Sequence, residues 1–513
     1  KLLAAMLSVI VMALAGIPLL MLLTMLGGVS YAQVARVVGV TACAAIAAGS
    51  LGSMVALWRE KTFQTLALTT LALVIWLLAG EAIGAGFFGA ALRGVRCEHW
   101  ADAVSPLRAI LAASRPTLDG TVPWPQWGEF GTAPVLFMAL AGGLATALNL
   151  TAIALVRVWN PSREARPATP DEQEHRVGHR DPRALKAPGA ARSDSPGEAA
   201  AIVGVAQGQD VRVHADPAKT RQVWDNPILW REICTWAYGK KILFVRAMYL
   251  AIALACGAAA MGWLGNGGGS GRPVDAGGFL AALAPLGALG LVLVNALAVT
   301  SLTNERDGRA LDLLLVTDLS PKEIIYGKLG GVFYNAKEMI LLPLGVGAAL
   351  WWRGDLSGEN FAFLSIGLLT LTAFAAMLGI HSGMIYANSR SAVAVSLGTV
   401  LFLLLGIAVC MRMMVAFQTS FQNQFQAFAA FMVGGGIGLY CALGARRESP
   451  AIAWASGLAP IATFFSITSV LKGDFGAAFL VAAGTYGFAT AALLIPAIYE
   501  FDVTTGRTTA HDL

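Results

Sequence analysis

The feature that most constrains this chain is a series of apolar runs, each long enough to cross a bilayer as a helix. A membrane-spanning helix needs about twenty apolar residues to cross a hydrocarbon core of ~30 Å. Hydrophobic residues fill 56% of the 513 positions and charged residues 13%, a more apolar balance than soluble domains have. The runs are apolar throughout, whereas the strands of a membrane barrel alternate in polarity. The sequence therefore predicts an all-α polytopic membrane protein.

Two groups of predicted spans are separated by a polar stretch. The first group comprises 3–26, 33–57, 64–89 and 133–157. The second group comprises 242–264, 279–302, 329–352, 361–387, 391–416, 424–444 and 475–499, with a weaker candidate at 451–471. The runs 424–444 and 451–471 could each cross the membrane, or they could together form an inserted hairpin. We divide the chain into a first transmembrane domain (1–158), a linker (159–224) and a second transmembrane domain (225–513).

The linker 159–224 is rich in Pro, Ala, Arg, Asp and His, as in NPSREARPATPDEQEHRVGHRDPRALK. Such a composition cannot bury enough apolar surface to offset the entropy of ordering, so we expect low order across 165–195. Alternating valines in AAIVGVAQGQDVRVHAD favour a short strand within the linker.

The positive-inside rule gives the short loops one orientation. The loops GNGGGSGRPVDAG, RGDLSGEN and FQTSFQNQFQ would lie outside, and the linker and the C-terminal tail would be cytoplasmic in a cell membrane. The net charge is +5, and the basic residues lie in predicted cytoplasmic loops. The charge therefore gives no indication of a nucleic-acid partner. The six cysteines have neither a CxxC pair nor the spacing of a metal site. The basic residues that set the inside loops are Arg59, Lys61, Arg306, Arg309, Lys322, Lys328 and Arg390. Of these, Arg306 and Arg309 are expected to be exposed.

The two groups of spans resemble each other, which indicates an internal repeat. Lys1-Leu2 opens an apolar run as Lys328-Leu329 does, and Leu51-Gly52 matches Leu378-Gly379 at the same offset. Further on, VSPLRAILAA resembles ASGLAPIATF, and FGTAPVLFMALAGGLATALNLTAIAL resembles FGAAFLVAAGTYGFATAALLIPAIYE. We expect two homologous bundles, the first incomplete because its N-terminal part is missing. The first four spans should superpose on 329–352, 361–387, 391–416 and 475–499.

The stretch ALDLLLVTDLSPKEIIYGK, which ends at Lys328, carries a helix-capping signal between two apolar runs. Ser320, Pro321 and Glu323 fit a capping box with proline at the first helical position. Before the box, Leu311, Leu314 and Leu315 share one face of a short helix. The pattern predicts a short helix, a turn at Thr317–Leu319, and a capped helix running through Lys328 into the span 329–352. The segment could serve a partner, or it could simply be a hairpin that orients two spans.

A second element at the membrane surface is predicted in NPILWREICTWAYGKK, from Asn226 to Lys241. Asn226 would cap the helix and Pro227 would begin it. The predicted helix is amphipathic, as in a helix that lies among lipid headgroups, and it could also be an aromatic anchor for the next span. Its apolar face would hold Leu229, Trp230, Ile233 and Trp236, and its polar face Arg231, Glu232 and Thr235.

Together, NPILWRE, two spans and ERDGRALDLLLVTDLSPKEIIYGK resemble the membrane subunits of type-2 ABC exporters. In that family the first element is the elbow helix and the second is the coupling segment that docks on the ATP-binding subunit. Arg309, Asp312 and Asp318 depart from the family pattern, where Thr, Glu and Pro are usual. The positions that fit it are Glu305, Gly308, Leu311, Leu313, Leu314, Thr317, Leu319, Ser320, Glu323, Ile324, Gly327 and Lys328. The resemblance covers 225–513 and, through the repeat, 1–158.

The resemblance implies a permease that moves a substrate by alternating access while a separate cytoplasmic ABC subunit hydrolyses ATP. ATP and Mg would be bound by that partner and no cofactor by this chain, which would itself supply both halves of the membrane pathway. The chain has no GxxxxGK[ST] phosphate loop, since Leu329 follows Gly327-Lys328. Gly434–Gly438 lies in an apolar run and favours close helix packing over dinucleotide binding. The resemblance is silent on the substrate.

Polar residues inside the spans are expensive to bury and are therefore candidate sites. Glu81 and Glu338 could instead lie at span ends, Asn149 and Asn295 could bond neighbouring helices, and His381 could be a packed core residue. Asn335 is a further candidate. A secondary transporter would need more intramembrane ionisable groups than this chain has. An enzyme would need a catalytic cluster, and none is recognised. A scaffold subunit of a larger machine that uses the permease fold remains an alternative.

Overall fold

The structure is a computed structural model. It describes isolated positions between 11 and 25, then 29–58, 62–86, 89, 91–92, 95–115, 131–159, 224–234, 242–260, 276–411, 421–444, 449–499 and 501. Residues 1–155 and 225–513 form one compact unit, and 156–224 form another. Nine helices in the described part of the chain are long and apolar enough to cross a membrane. The protein is therefore an all-α, multi-pass membrane protein.

The N-terminal part of the larger unit consists of helices and one small hairpin. The hairpin pairs β1 (Ala91–Leu92) with β2 (Val95–Arg96) in antiparallel fashion. The helices are α1 (Tyr31–Trp58), α2 (Thr62–Gly84), α3 (Cys97–Val104), α4 (Pro106–Ala113) and α5 (Ala133–Trp159).

The C-terminal part contains the remaining helices. They are α6 (Pro227–Cys234), α7 (Ile242–Ala260), α8 (Ala276–Asp307), α9 (Ala310–Leu315), α10 (Pro321–Asn335), α11 (Lys337–Arg353), α12 (Gly358–Ile385), α13 (Ser389–Leu401), α14 (Phe421–Leu443), α15 (Pro450–Leu471) and α16 (Phe475–Tyr499). Between α13 and residue 411 the helix widens into a π-turn at Phe402–Gly406.

Helix α8 forms the centre of this part and packs against α7, α11, α12 and α13. The crossing of α8 with α12 is close, because a Cβ at Gly379 would lie 2.6 Å from the Cβ of Ala298. Small residues let membrane helices approach in this way. The predicted packing role of the glycine run also appears: a Cβ at Gly435 would lie 2.4 Å from Cζ of Phe402, and one at Gly436 would lie 3.3 Å from Cα of Gly457.

The N-terminal helices have a small core of their own between α1, α4 and α5, built around Val40, Ala109 and Phe137. Helix α2 packs on α7 and α8, so its buried residues, such as Phe63 and Leu71, join the larger core. The two predicted transmembrane domains thus belong to one compact unit. Their superposition as a repeat stays a prediction.

The prediction of one continuous helix over 329–352 is wrong. The chain forms α10 and α11 instead, which meet at Ala336, where φ is −99° and ψ is 9°. The side-chain amide of Asn335 donates to Gly331 O at 2.9 Å and lies 3.2 Å from Glu232 O, which ties the end of α10 to α6. Pro343 lacks the N–H that would bond Met339 O, and the Tyr249 hydroxyl lies 3.2 Å from that oxygen.

Several predictions concern positions outside the described residues. They are the bounds of the first span 3–26, the linker and its strand within 160–223, Thr235, Trp236, the loop 265–275, residues 412–420 and the tail from 502. The predicted spans 424–444 and 451–471 are helices α14 and α15, which pack on each other. Of these two, α15 is among the nine membrane-spanning candidates, whereas the apolar part of α14, Phe428–Leu443, is shorter.

Candidate functional site: a buried charge cluster beside the predicted coupling segment

Helix α6 lies directly on a glycine face of α10. A Cβ added at Gly327, Gly330 or Gly331 would lie 2.8 Å or less from side-chain atoms of Asn226, Leu229 and Glu232, respectively. These glycines are three and four residues apart and so share one side of the helix. Only the absence of side chains there allows the predicted elbow helix to approach this closely. The GKLGG pattern was the sequence signal for this contact, and it was missed.

The close approach brings Glu232 and Lys328 together in the interior. The Lys328 ammonium, whose side chain is 1% exposed, lies 2.6 Å from Oε1 of Glu232, whose side chain is 3% exposed. It also lies 2.6 Å from Oε1 of Glu305 at the end of α8. Arg231 pairs with Glu305 as well and lies 3.3 Å from Glu232 Oε1. We call Arg231, Glu232, Glu305 and Lys328 the charge cluster.

The charge cluster contains two cations and two anions, so its net charge is zero. Buried charges are tolerated in proteins when they are paired in this way. Burial alone would lower the pKa of Arg231, but the Glu305 and Glu232 carboxylates outweigh it and raise that pKa. Among the described residues, the second carboxylate oxygens of Glu232 and Glu305 are buried without a hydrogen-bond donor. The cluster therefore binds three helices together and still has acceptor capacity.

The predicted polar face of the elbow helix is wrong at Glu232. Its carboxylate is buried against α10 instead of facing solvent. The reason is pairing: an anion leaves water when a cation such as Lys328 is fixed opposite it. Asn226 caps α6 as predicted, because its Oδ1 accepts from the Leu229 amide at 2.9 Å. Pro227 begins the helix and Trp230 is half-buried.

The segment 305–328, predicted to be a coupling segment, has the expected order of helix, turn and capped helix. The capping box is present: the Glu323 amide lies 3.3 Å from the Ser320 hydroxyl oxygen, and the Ser320 amide donates to Glu323 Oε2 at 2.8 Å. The Ser320 hydroxyl also donates to Glu323 Oε2 at 2.7 Å. The bonds that the Ser320 amide and hydroxyl donate to this carboxylate lower the pKa of Glu323. The Asn226 amide donates to Glu323 O at 2.9 Å, so the start of α10 is also tied to α6.

The leucines of α9 do not all face the same way. Leu314 is buried, and Leu311, Leu315 and Leu319 pack against the main core. Leu313 and Val316, in contrast, are 75% and 85% exposed. The sequence left open whether Leu311, Leu314 and Leu315 face a partner or the protein itself, and the structure places them against the protein. The exposed apolar side chains of this short stretch are therefore Leu313 and Val316.

The arginines beside this segment differ in exposure. Arg309 is exposed, with a left-handed backbone (φ 54°) just after Gly308. Arg306 was predicted to be exposed, and this is wrong: its Nη1 donates to Gly383 O at 3.0 Å, and the residue is half-buried. A guanidinium at the end of α8 finds a carbonyl acceptor on α12 because the two helices cross so closely. The Thr317 hydroxyl donates to Leu314 O at 2.6 Å and closes the turn after α9.

The three candidate asparagines all bond neighbouring helices, and Asn335 does so between α10 and α6. The Asn295 amide donates to Ala375 O at 2.8 Å, and its oxygen accepts from the Ser396 hydroxyl at 2.9 Å. Asn295 thus links α8 with α12 and α13. The Asn149 amide donates to the Ser50 hydroxyl at 2.8 Å and links α5 with α1.

Each of the three ionisable candidates has a polar partner of its own on another helix. Glu81 pairs with Arg108 of α4 at 2.7 Å, and Glu338 lies 3.3 Å from Nη1 of Arg246 on α7. His381 is buried with Nε2 3.2 Å from Leu443 O. Neither Arg108 nor Arg246 was recognised from the sequence as a partner, because nothing local connects them to these carboxylates. Within the described residues, no group of three or more His, Cys, Asp and Glu side chains could hold a metal.

Comparison of the chain with protein-family models, with curated proteins and with solved structures finds no match.

Proposed function

We propose that this chain is the permease component of an ATP-driven, ABC-type exporter, and that it docks on its ATP-binding subunit through α9 and the following turn. The observation that carries the proposal is the arrangement around α9. Leu313 of this short helix and Val316, the residue after it, are exposed. Leu311, Leu314 and Leu315 pack against the protein. Adjacent exposed apolar side chains next to a cation, here Arg309, favour recognition by another protein.

The surroundings of α9 support a role in transmitting force. The charge cluster ties α6, α8 and α10 together, and the bond from Asn226 to Glu323 O fixes the start of α10. A displacement of α9 would therefore move three helix ends together, since paired buried charges are costly to separate. Only a partner that binds two membrane conformations with different affinity can drive such a change.

The same proposal extends to the nucleotide, the membrane orientation and the transport pathway. ATP and Mg would be bound by the partner, and this chain would lie in a cell membrane with α9, the linker and the C-terminal tail on the cytoplasmic side. Both halves of the pathway would belong to this chain, with the substrate unspecified. The basic residues near α9, such as Arg309 and Lys322, agree with that orientation.

The test is co-purification with a soluble ATPase encoded beside this chain, after co-expression. The wild-type chain should retain the ATPase and stimulate ATP hydrolysis in nanodiscs. The double variant Leu313→Ser/Val316→Ser should lose most of both effects, because it removes the exposed apolar pair without touching the packed leucines. Trp352→Ser removes another exposed apolar side chain, at the far end of α11, and should leave both effects unchanged.

The outcomes separate the alternatives. Undiminished ATPase binding by the double variant, at equal membrane insertion, would show that α9 is not the docking element. If the wild-type chain binds no ATPase, the exporter proposal fails and a scaffold role in a larger machine takes its place. Substrate movement driven by an ion gradient in vesicles without any ATPase would instead identify a secondary transporter.

A further inference from the structure

A cavity of about 600 Å³ lies between α8, α11, α12, α15 and α16. Among its lining residues, only Ser365 and Ser466 have polar side-chain atoms, and none carries a charge. Phe363 and Phe479 stack on each other at 5.1 Å between ring centroids and form part of its wall. Leu404, in the π-turn, also lines it. The volume is that of a typical small-molecule site.

The cavity is remote from the coupling segment. Its lining residues on α8 end at Leu291, whereas the charge cluster begins at Glu305 on the same helix. At 1.5 Å per residue, these two positions are about 21 Å apart along the helix axis. The cavity lies instead near the turns 354–357 and 472–474, where α11 leads into α12 and α15 leads into α16.

The chemistry of the lining defines the occupant. Apolar cavities of this kind stay dry, so water does not fill them. A charged or strongly polar ligand would lose its hydration without gaining partners. A hydrocarbon chain meets neither obstacle. Leu471 lines the cavity and is 69% exposed, so the cavity reaches the outer surface of the bundle at the end of α15, where bilayer lipid would surround the protein.

We propose that this cavity binds one acyl chain of a membrane phospholipid, which enters beside Leu471. The turn 472–474 places Lys472, which is exposed, next to that entrance. An ammonium at this position suits the phosphate of the same lipid. The inference concerns the outer wall of the bundle and does not depend on the proposed exporter function.

Two glycines allow the cavity to be filled from different helices. A Cβ at Gly367 of α12 would meet no atom within 4 Å, and one at Gly287 of α8 would lie 3.8 Å from Leu368, which is ordinary contact. Leucine at either position would occupy the space proposed for the acyl chain. Gly484 of α16 also has no atom within 4 Å of an added Cβ, but it lies outside the lining and is exposed. Gly484→Leu is therefore the matched control.

The experiment reconstitutes the protein in vesicles that contain phosphatidylcholine with a diazirine in one acyl chain, followed by photocrosslinking and peptide mapping. Crosslinks should concentrate on 363–371 and 466–482, and Gly367→Leu and Gly287→Leu should each reduce them about tenfold, because overpacking a filled site is unfavourable. Gly484→Leu should leave them unchanged. A parallel arm uses a diazirine fatty acid without the phosphate headgroup, and its labelling should be weaker.

Several results would overturn the inference. Crosslinks spread evenly over all lipid-facing helices would mean that the cavity holds no lipid of its own. Equal labelling in both filled variants and in Gly484→Leu would mean the same. Stronger labelling by the fatty acid than by phosphatidylcholine would show that the occupant is not a phospholipid.

Discussion

The most direct perturbation of the charge cluster is Lys328→Met, which removes the ammonium and keeps a side chain of similar length. In the structure this ammonium lies 2.6 Å from both Glu232 and Glu305. Its loss would leave two buried carboxylates facing each other, with Arg231 as the remaining cation. The helices α6, α8 and α10 would then be held together by a cluster with a net negative charge.

The size of the effect follows from this burial. Removing one partner of a buried ion pair costs about 3–5 kcal/mol, because an uncompensated charge stays in the interior. Arg231 still compensates part of the negative charge, so we expect the free energy of unfolding to fall by about 3 kcal/mol, the lower end of that range. Adding Glu232→Gln removes one of the two carboxylate charges. The double variant should therefore lose less than the sum of the single changes, with a coupling of about 1–3 kcal/mol.

The measurement is reversible unfolding by SDS from detergent micelles, followed by tryptophan fluorescence. Lys322→Met is the control, because Lys322 lies on the same helix α10 and is exposed. It should change the free energy of unfolding by no more than about 0.5 kcal/mol. The reasoning is refuted if Lys328→Met costs no more than this control. It is also refuted if the Lys328 and Glu232 substitutions prove additive.

Three further predictions can be measured by the same unfolding assay. Ser320→Ala should cost about 1 kcal/mol of helix capping. Because bonds from Ser320 lower the pKa of Glu323, the contribution of the Glu323 carboxylate to stability should be complete above its ordinary pKa of 4.5 and be lost as the pH falls through the lower pKa of the folded state. Glu323→Gln should remove this pH dependence. Gly331→Ala should lower the free energy of unfolding by about 1–3 kcal/mol, because the added Cβ would lie 2.5 Å from a side-chain atom of α6. The control is Gly345→Ala, whose added Cβ would have no atom within 4 Å. This control should stabilise the protein. Asn295→Ala should cost about 1–3 kcal/mol, since the buried Ser396 hydroxyl loses its acceptor and Ala375 O loses one of its donors. A loss of less than about 0.5 kcal/mol, the range of an ordinary surface substitution, would contradict the hydrogen-bonded role.

The sequence pattern predicts those elements whose stabilising interactions join residues close together in the chain. The apolar runs predict most of the long helices, because a continuous run of this length has few alternatives to a helix in a bilayer. The capping box of Ser320 and Glu323 was predictable for the same reason: its two partners are three residues apart. The broken helix at Ala336 was not predictable, since the end of α10 is tied by a hydrogen bond from the Asn335 side chain to Glu232 O, a residue 103 positions away.

The charge cluster was decided by tertiary structure. Its residues were all singled out in the sequence, but as parts of two separate surface elements, with Glu232 assigned to the polar face of its helix. Only the packing of α6 on the glycines of α10 brings Glu232 to Lys328, 96 residues away. Likewise, helical periodicity could group the leucines of α9, but it could not say which of them face the protein. That choice depends on the helices around α9, and it leaves Leu313 and Val316 at the surface.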